Sequence, residues 1–99
     1  MTLEEKLVQR LRQQVQSAAA LGIPEPKRLF QAAERFGAAE ALSGLFSRGR
    51  LSDSFDALAD AGHLELSPEA TVIQARYGPL FTDEEINTCL TLLLEAGYF

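Results

Sequence analysis

Residues 2–22, TLEEKLVQRLRQQVQSAAALG, carry a helix start, a helical period and a helix stop in one run. Thr2 followed three residues later by Glu5 is a capping box, in which each residue's side chain takes a free backbone N–H of the other. Leu3, Leu7, Val8, Leu11, Val15, Ala18 and Ala19 then recur at the spacing of one helix face. Gly22, with Pro24 beyond it, supplies a left-handed stop. The pattern predicts a helix over about 3–21, with Lys6, Gln9, Arg10, Arg12, Gln13, Gln14 and Gln16 on a solvated, mildly basic opposite side.

The same signals repeat along the chain. Pro24-Glu25-Pro26 is a stiff elbow, because each proline lacks an N–H and pushes its predecessor toward extended geometry. A second helix is expected from there to about Phe36, turning Leu29, Phe30, Ala33 and Phe36 inward. Gly37 separates it from a third, about 38–46, whose inward set is Leu42, Leu45 and Phe46. Ser52 is expected to cap a fourth helix ending at Ala61-Gly62, with Phe55 and Leu58 inward. His63-Leu64-Glu65-Leu66 alternates polar and apolar and reads as an extended connector. Ser67-Pro68-Glu69 places cap, first-turn proline and first-turn acid in order, starting a short helix to about Ala75 that ends before Gly78-Pro79.

Thr82 and Glu85 form a second capping box, with Phe81 able to staple against Ile86. In the last helix Cys89, Leu90, Leu92, Leu93, Leu94 and Ala96 cover more than one stripe, which suits a central helix or one shared with another chain. Tyr98 and Phe99, after Gly97, are expected to fold back onto it, the alternative being an exposed anchor. The fold expected is an all-α, compact, single-domain bundle over residues 1–99, with five or six mostly short helices and the long first and last helices packed together.

With 46% apolar and 23% charged residues the composition is that of a globular protein and not of a disordered chain. The single cysteine, Cys89, excludes an intrachain disulfide and a cysteine-based structural zinc site. No apolar run of about 18 residues is present to span a bilayer and no basic-then-apolar leader opens the chain, so a cytoplasmic protein without membrane attachment is expected.

Charge is distributed unevenly. Residues 1–50 hold eight Lys/Arg against five Asp/Glu, net +3; residues 51–99 hold one, Arg76, against nine acids, net −8. A basic-leaning half joined to an acidic one polarises the surface, and polarised surfaces steer association. The carboxylates Asp53, Asp56, Asp60, Glu65, Glu69, Asp83, Glu84 and Glu85 form a candidate negative field, with Tyr77, Phe81 and Tyr98 as candidate apolar anchors. The function expected is that of a small acidic inhibitor or adaptor whose negative face occupies a basic surface on a protein partner within a nucleic-acid-handling complex. Small acidic phage and mobile-element proteins, anti-CRISPR proteins among them, work by this physics; the parallel is one of size and charge.

Two other binding readings stand beside it. The leucine-rich last helix with Tyr98 and Phe99 could bury against a second copy, since an isologous dimer needs only one such patch. The basic first half could bind nucleic acid weakly. However, the would-be recognition helix at 38–46 carries only Glu40 as a charged side chain, so direct nucleic-acid binding is disfavoured. Arg48 and Arg50 flank Gly49 in a solvated turn. Asp83, Glu84 and Glu85 are consecutive, point about 100° apart and suit a helix N-terminus, not one metal ion. His63 has no nucleophile or acid around it in a catalytic arrangement, and Cys89 among leucines reads as a buried thiol. No enzyme activity and no cofactor is expected.

Overall fold

Both capping boxes form. In the computed structural model, which describes residues 1–99, the Glu5 N–H donates to Thr2 Oγ1 at 3.1 Å and the Glu85 N–H to Thr82 Oγ1 at 3.2 Å. They open the two longest helices, α1 (Leu3–Ala20) and α6 (Asp83–Glu95). Between them lie α2 (Lys27–Phe36), α3 (Ala38–Phe46), α4 (Phe55–Ala61) and α5 (Pro68–Val72), with 3₁₀ turns at Leu64–Leu66 and Ala75–Leu80 and no strand. Ser67 caps α5 by accepting the Ala70 N–H at 3.2 Å, one residue ahead of Pro68. The chain is an all-α single-domain bundle of 30 × 25 × 22 Å.

The apolar spacing of α1 is used at both ends. Leu7 and Leu11 enter a core cluster with Leu29, Leu42, Phe46, Val72, Tyr77 and Cys89. Ala18 enters a second cluster with Ile23, Phe55, Leu58, Leu64 and Leu93. Because α6 contributes Cys89 to the first cluster and Leu93 to the second, the two long helices run past the same two cores. The sequence predicts that they pack on each other; instead α5 and α3 lie against both of them.

Other expectations also change. The fourth helix begins at Phe55, two residues late, because the Ser52 side chain is engaged by Glu69 and leaves the helix without a side-chain cap. His63–Leu66 winds into a 3₁₀ turn, which lets Leu64 reach the second cluster. The helix from Pro68 stops at Val72, and the chain passes through Gly78-Pro79 as a 3₁₀ turn. Phe36 is 63% exposed, its ring lying 5.4 Å beneath the Arg35 guanidinium.

Gly37 joins α2 to α3 at φ 92°, where a side chain is strained, and a Cβ there would come within 3.1 Å of Glu4 Oε1. That carboxylate accepts the Ala39 N–H at 3.1 and 3.3 Å, so the first turn of α1 caps the start of α3. Glu4→Ala is therefore expected to cost about 1 kcal/mol, as loss of a helix cap does. Thermal unfolding followed at 222 nm reads this as a midpoint lowered by several degrees.

Candidate interaction surfaces

No Lys or Arg lies within ion-pair distance of a carboxylate anywhere in the fold; the one close pair is His63 Nδ1 with Glu65 Oε1 at 2.8 Å. The unequal charge of the two halves is therefore not cancelled by internal pairing. The His63 hydrogen bond, more than any other influence, holds the Glu65 carboxyl below its ordinary range.

Asp53, Asp56, Asp60, Glu65, Asp83 and Glu84 are exposed, as the sequence predicts. Asp53 has a structural task as well, because its Oδ2 accepts the Arg28 N–H at 3.3 Å in the first turn of α2. Glu69, Tyr77 and Glu85 do not belong to the surface field. Glu69 is fully buried, where its two oxygens accept the Ser52 N–H at 2.8 Å and the Ser52 Oγ–H at 2.7 Å. Burial pushes its carboxyl up, an effect the negative charge of Asp56 reinforces and the Ser52 bonds oppose. Glu85 turns back to its own capping box, accepting the Thr82 N–H at 2.8 Å. Tyr77 packs in the first core cluster, and Phe81 is buried there too. Cys89 is buried beside Glu69 and Glu85, and desolvation followed by those two charges pushes its thiol far above the range in which a thiolate forms.

The outer side of α6 carries the apolar surface. Leu90 and Leu94, four residues apart on one stripe, are 38% and 62% exposed, and Tyr98 and Phe99 are 38% and 65% exposed. The aromatics do not return to the core. The inward positions of α6 are already filled by Cys89 and Leu93. Gly97 at φ 83° closes the helix in a Schellman turn, with the Tyr98 N–H bonded to the Leu93 carbonyl at 2.9 Å and the Gly97 N–H to that of Leu94 at 3.1 Å. The Tyr98 and Phe99 rings meet each other edge to face at 5.1 Å. Glu84, Thr88, Thr91 and Glu95 line a shallow concavity of about 560 Å³ on the same helix, which has no basic residue.

Two basic-edged grooves lie elsewhere. One, about 460 Å³, has Arg28, Arg48 and Arg50 around Ala32, Phe36 and Leu45, with Glu40 and Asp53 also on its wall. The other, about 430 Å³, runs between α1 and the Ala75–Leu80 turn and sets Lys6 and Arg10 beside Arg76. The sequence shows the Lys6–Arg10 stripe but gives no sign that the lone basic residue of the acidic half joins it, since that depends on where the 3₁₀ turn docks. No three of the His, Cys, Asp and Glu side chains are grouped so as to hold a metal ion, and no helix is long and apolar enough to cross a membrane. Comparison of the chain with protein-family models, with curated proteins and with solved structures finds no match.

Proposed function

We propose that this chain is a protein-binding domain, an inhibitor or adaptor, whose α6 face docks onto a basic-rimmed apolar surface of a partner. The observation carrying this reading is the stripe Leu90, Leu94, Tyr98 and Phe99, left in solvent on a helix edged by Glu84 and Glu95 and without a cation. Exposed leucines and aromatics supply the desolvated centre of an interface, and unpaired carboxylates at its rim select partners and raise the association rate. The partner surface that complements them is positive around an apolar centre, the kind carried by proteins that handle nucleic acid. Asp56 and Asp60 on α4 add to the long-range field without having to touch the partner. A second copy suits the face less well, because an isologous pairing brings the acidic edge of α6 against itself.

Affinity capture from cells with three baits tests the reading: wild type, Leu94→Ser, and the double variant Glu84→Lys, Glu95→Lys. A basic protein retained by wild type and lost by both variants is expected. With that partner purified, the charge reversal is expected to slow association by about tenfold at low salt, the difference shrinking as salt rises. Retention unaffected by both variants rejects the α6 face. A wild-type dimer in sedimentation that Leu94→Ser dissociates assigns the face to a second copy.

A further inference from the structure

We propose that the groove between α1 and the Ala75–Leu80 turn is a binding site for a polyanionic phosphate ligand, gripped by Lys6, Arg10 and Arg76. Three observations lead there. Its walls hold three cations and no carboxylate, in a chain whose net charge is −5. None of those cations is ion-paired within the fold. Lys6 and Arg10 lie four apart on one helix flank, where like charges repel, and the fold then brings Arg76, the only basic residue after position 50, to the same place. An arrangement that gathers positive charge in this way is relieved by an anion.

The other walls say which anion. Gln9, Gln13 and Gln74 add amide N–H donors, so six of the seven lining residues are polar or charged and no apolar side chain but Tyr77 is offered to an amphipathic peptide. Guanidinium forks match the paired oxygens of phosphate, and three cations call for a ligand with more than one negative charge, which a single carboxylate does not supply. Tyr77, the one aromatic residue at the groove, is 2% exposed with its ring in the core, so no face is open for a base to stack on. Recognition is therefore of phosphates and not of bases. A short polyphosphate and a nucleic-acid backbone share this chemistry. The site stands apart from the α6 face and does not depend on it.

Isothermal titration at low ionic strength tests the groove with sodium tripolyphosphate and, separately, a single-stranded oligonucleotide. Saturable one-to-one binding of tripolyphosphate is expected. Arg10→Glu or Arg76→Glu should weaken it roughly tenfold or more, the loss of a charge-assisted contact. The paired change Arg48→Glu, Arg50→Glu, at the other groove, should leave it unchanged. In wild type the side-chain amides of Gln13 and Gln74 are expected to shift on titration, a readout that needs no variant to fold. Tripolyphosphate binding without oligonucleotide binding assigns a small polyphosphate; oligonucleotide binding that tripolyphosphate displaces assigns a nucleic-acid backbone. Absence of binding by both probes overturns the site, as does binding that the control pair weakens as much as Arg10→Glu does.

Discussion

Glu69→Ala is expected to lower the stability of this protein by about 3–5 kcal/mol, a large share of the roughly 5–15 kcal/mol that holds a small domain together. The carboxylate is fully buried and accepts both Ser52 donors, and Ser52 is itself 4% exposed. Truncation therefore leaves a buried N–H and a buried hydroxyl without acceptors and opens a void between α5 and the segment leading into α4. Glu69→Gln keeps an oxygen for the Ser52 N–H and an amide that can donate to Ser52 Oγ, while removing a charge that has no cation beside it. It is expected to be neutral or stabilising at pH 7. Urea denaturation of the two variants against wild type separates these outcomes, and a glutamine variant as unstable as the alanine one refutes the account.

The same group sets a pH dependence whose sign follows from its environment. Burial raises the Glu69 carboxyl above its ordinary 4.5, so the folded chain holds that proton more tightly than the unfolded chain does. Its contribution is complete below the unfolded value and is lost as pH rises through the folded one. Glu65 acts in the opposite sense and in a different window. Its carboxyl is lowered, so its contribution is present above 4.5 and disappears as pH falls further. Above pH 4.5, Glu69 is the one of the two that moves. The wild-type unfolding midpoint is expected to fall with rising pH above 4.5 more steeply than that of Glu69→Gln.

What the sequence discloses and what it hides divide along the distance between partners. The Thr2–Glu5 and Thr82–Glu85 boxes and the Ser67 cap join residues three apart, so spacing alone reveals them. Ser52 and Glu69 are 17 residues apart. Each carries a strong local signal, a helix cap and a first-turn acid, and both signals are overridden when the two side chains meet in the core. Phe36 shows the reverse: helical period points it inward, but Leu29 and Phe30 already face the core from α2, and the ring is left under Arg35. The exposed carboxylates of the second half are legible because none of them is drawn into the core, the bonds of Asp53 to the Arg28 N–H and of Glu65 to His63 being made at the surface. The α6 stripe is half legible, its excess of leucines being plain in the sequence and its exposure depending on which two positions, Cys89 and Leu93, the core takes.

Gln14 carries the second large effect and is the residue a helical wheel misplaces most. Its polarity puts it on the solvated side of α1, yet it is 2% exposed, and its Nε2 donates to the Glu65 and Ser67 carbonyls at 3.1 Å each. Those carbonyls lie 51 and 53 residues away, in the turn that leads into α5, so one amide fastens the middle of α1 to the start of the acidic half's core. Gln14→Ala removes both donors and the volume of the side chain. The expected loss is about 3 kcal/mol, from two under-satisfied buried carbonyls and a cavity, moderated because Gln14 Oε1 already lacks a partner in the chain. Gln14→Leu refills the volume without the donors and is expected to recover about 1 kcal/mol of that loss. Gln14→Glu places a buried carboxylate against two carbonyl oxygens, and it is expected to unfold at neutral pH and to regain structure toward acid, where the protonated acid can donate one bond. Equilibrium unfolding of the three variants, with circular dichroism across pH for the last, measures each quantity. A Gln14→Ala variant as stable as wild type would show that the acidic half keeps its place without this tie.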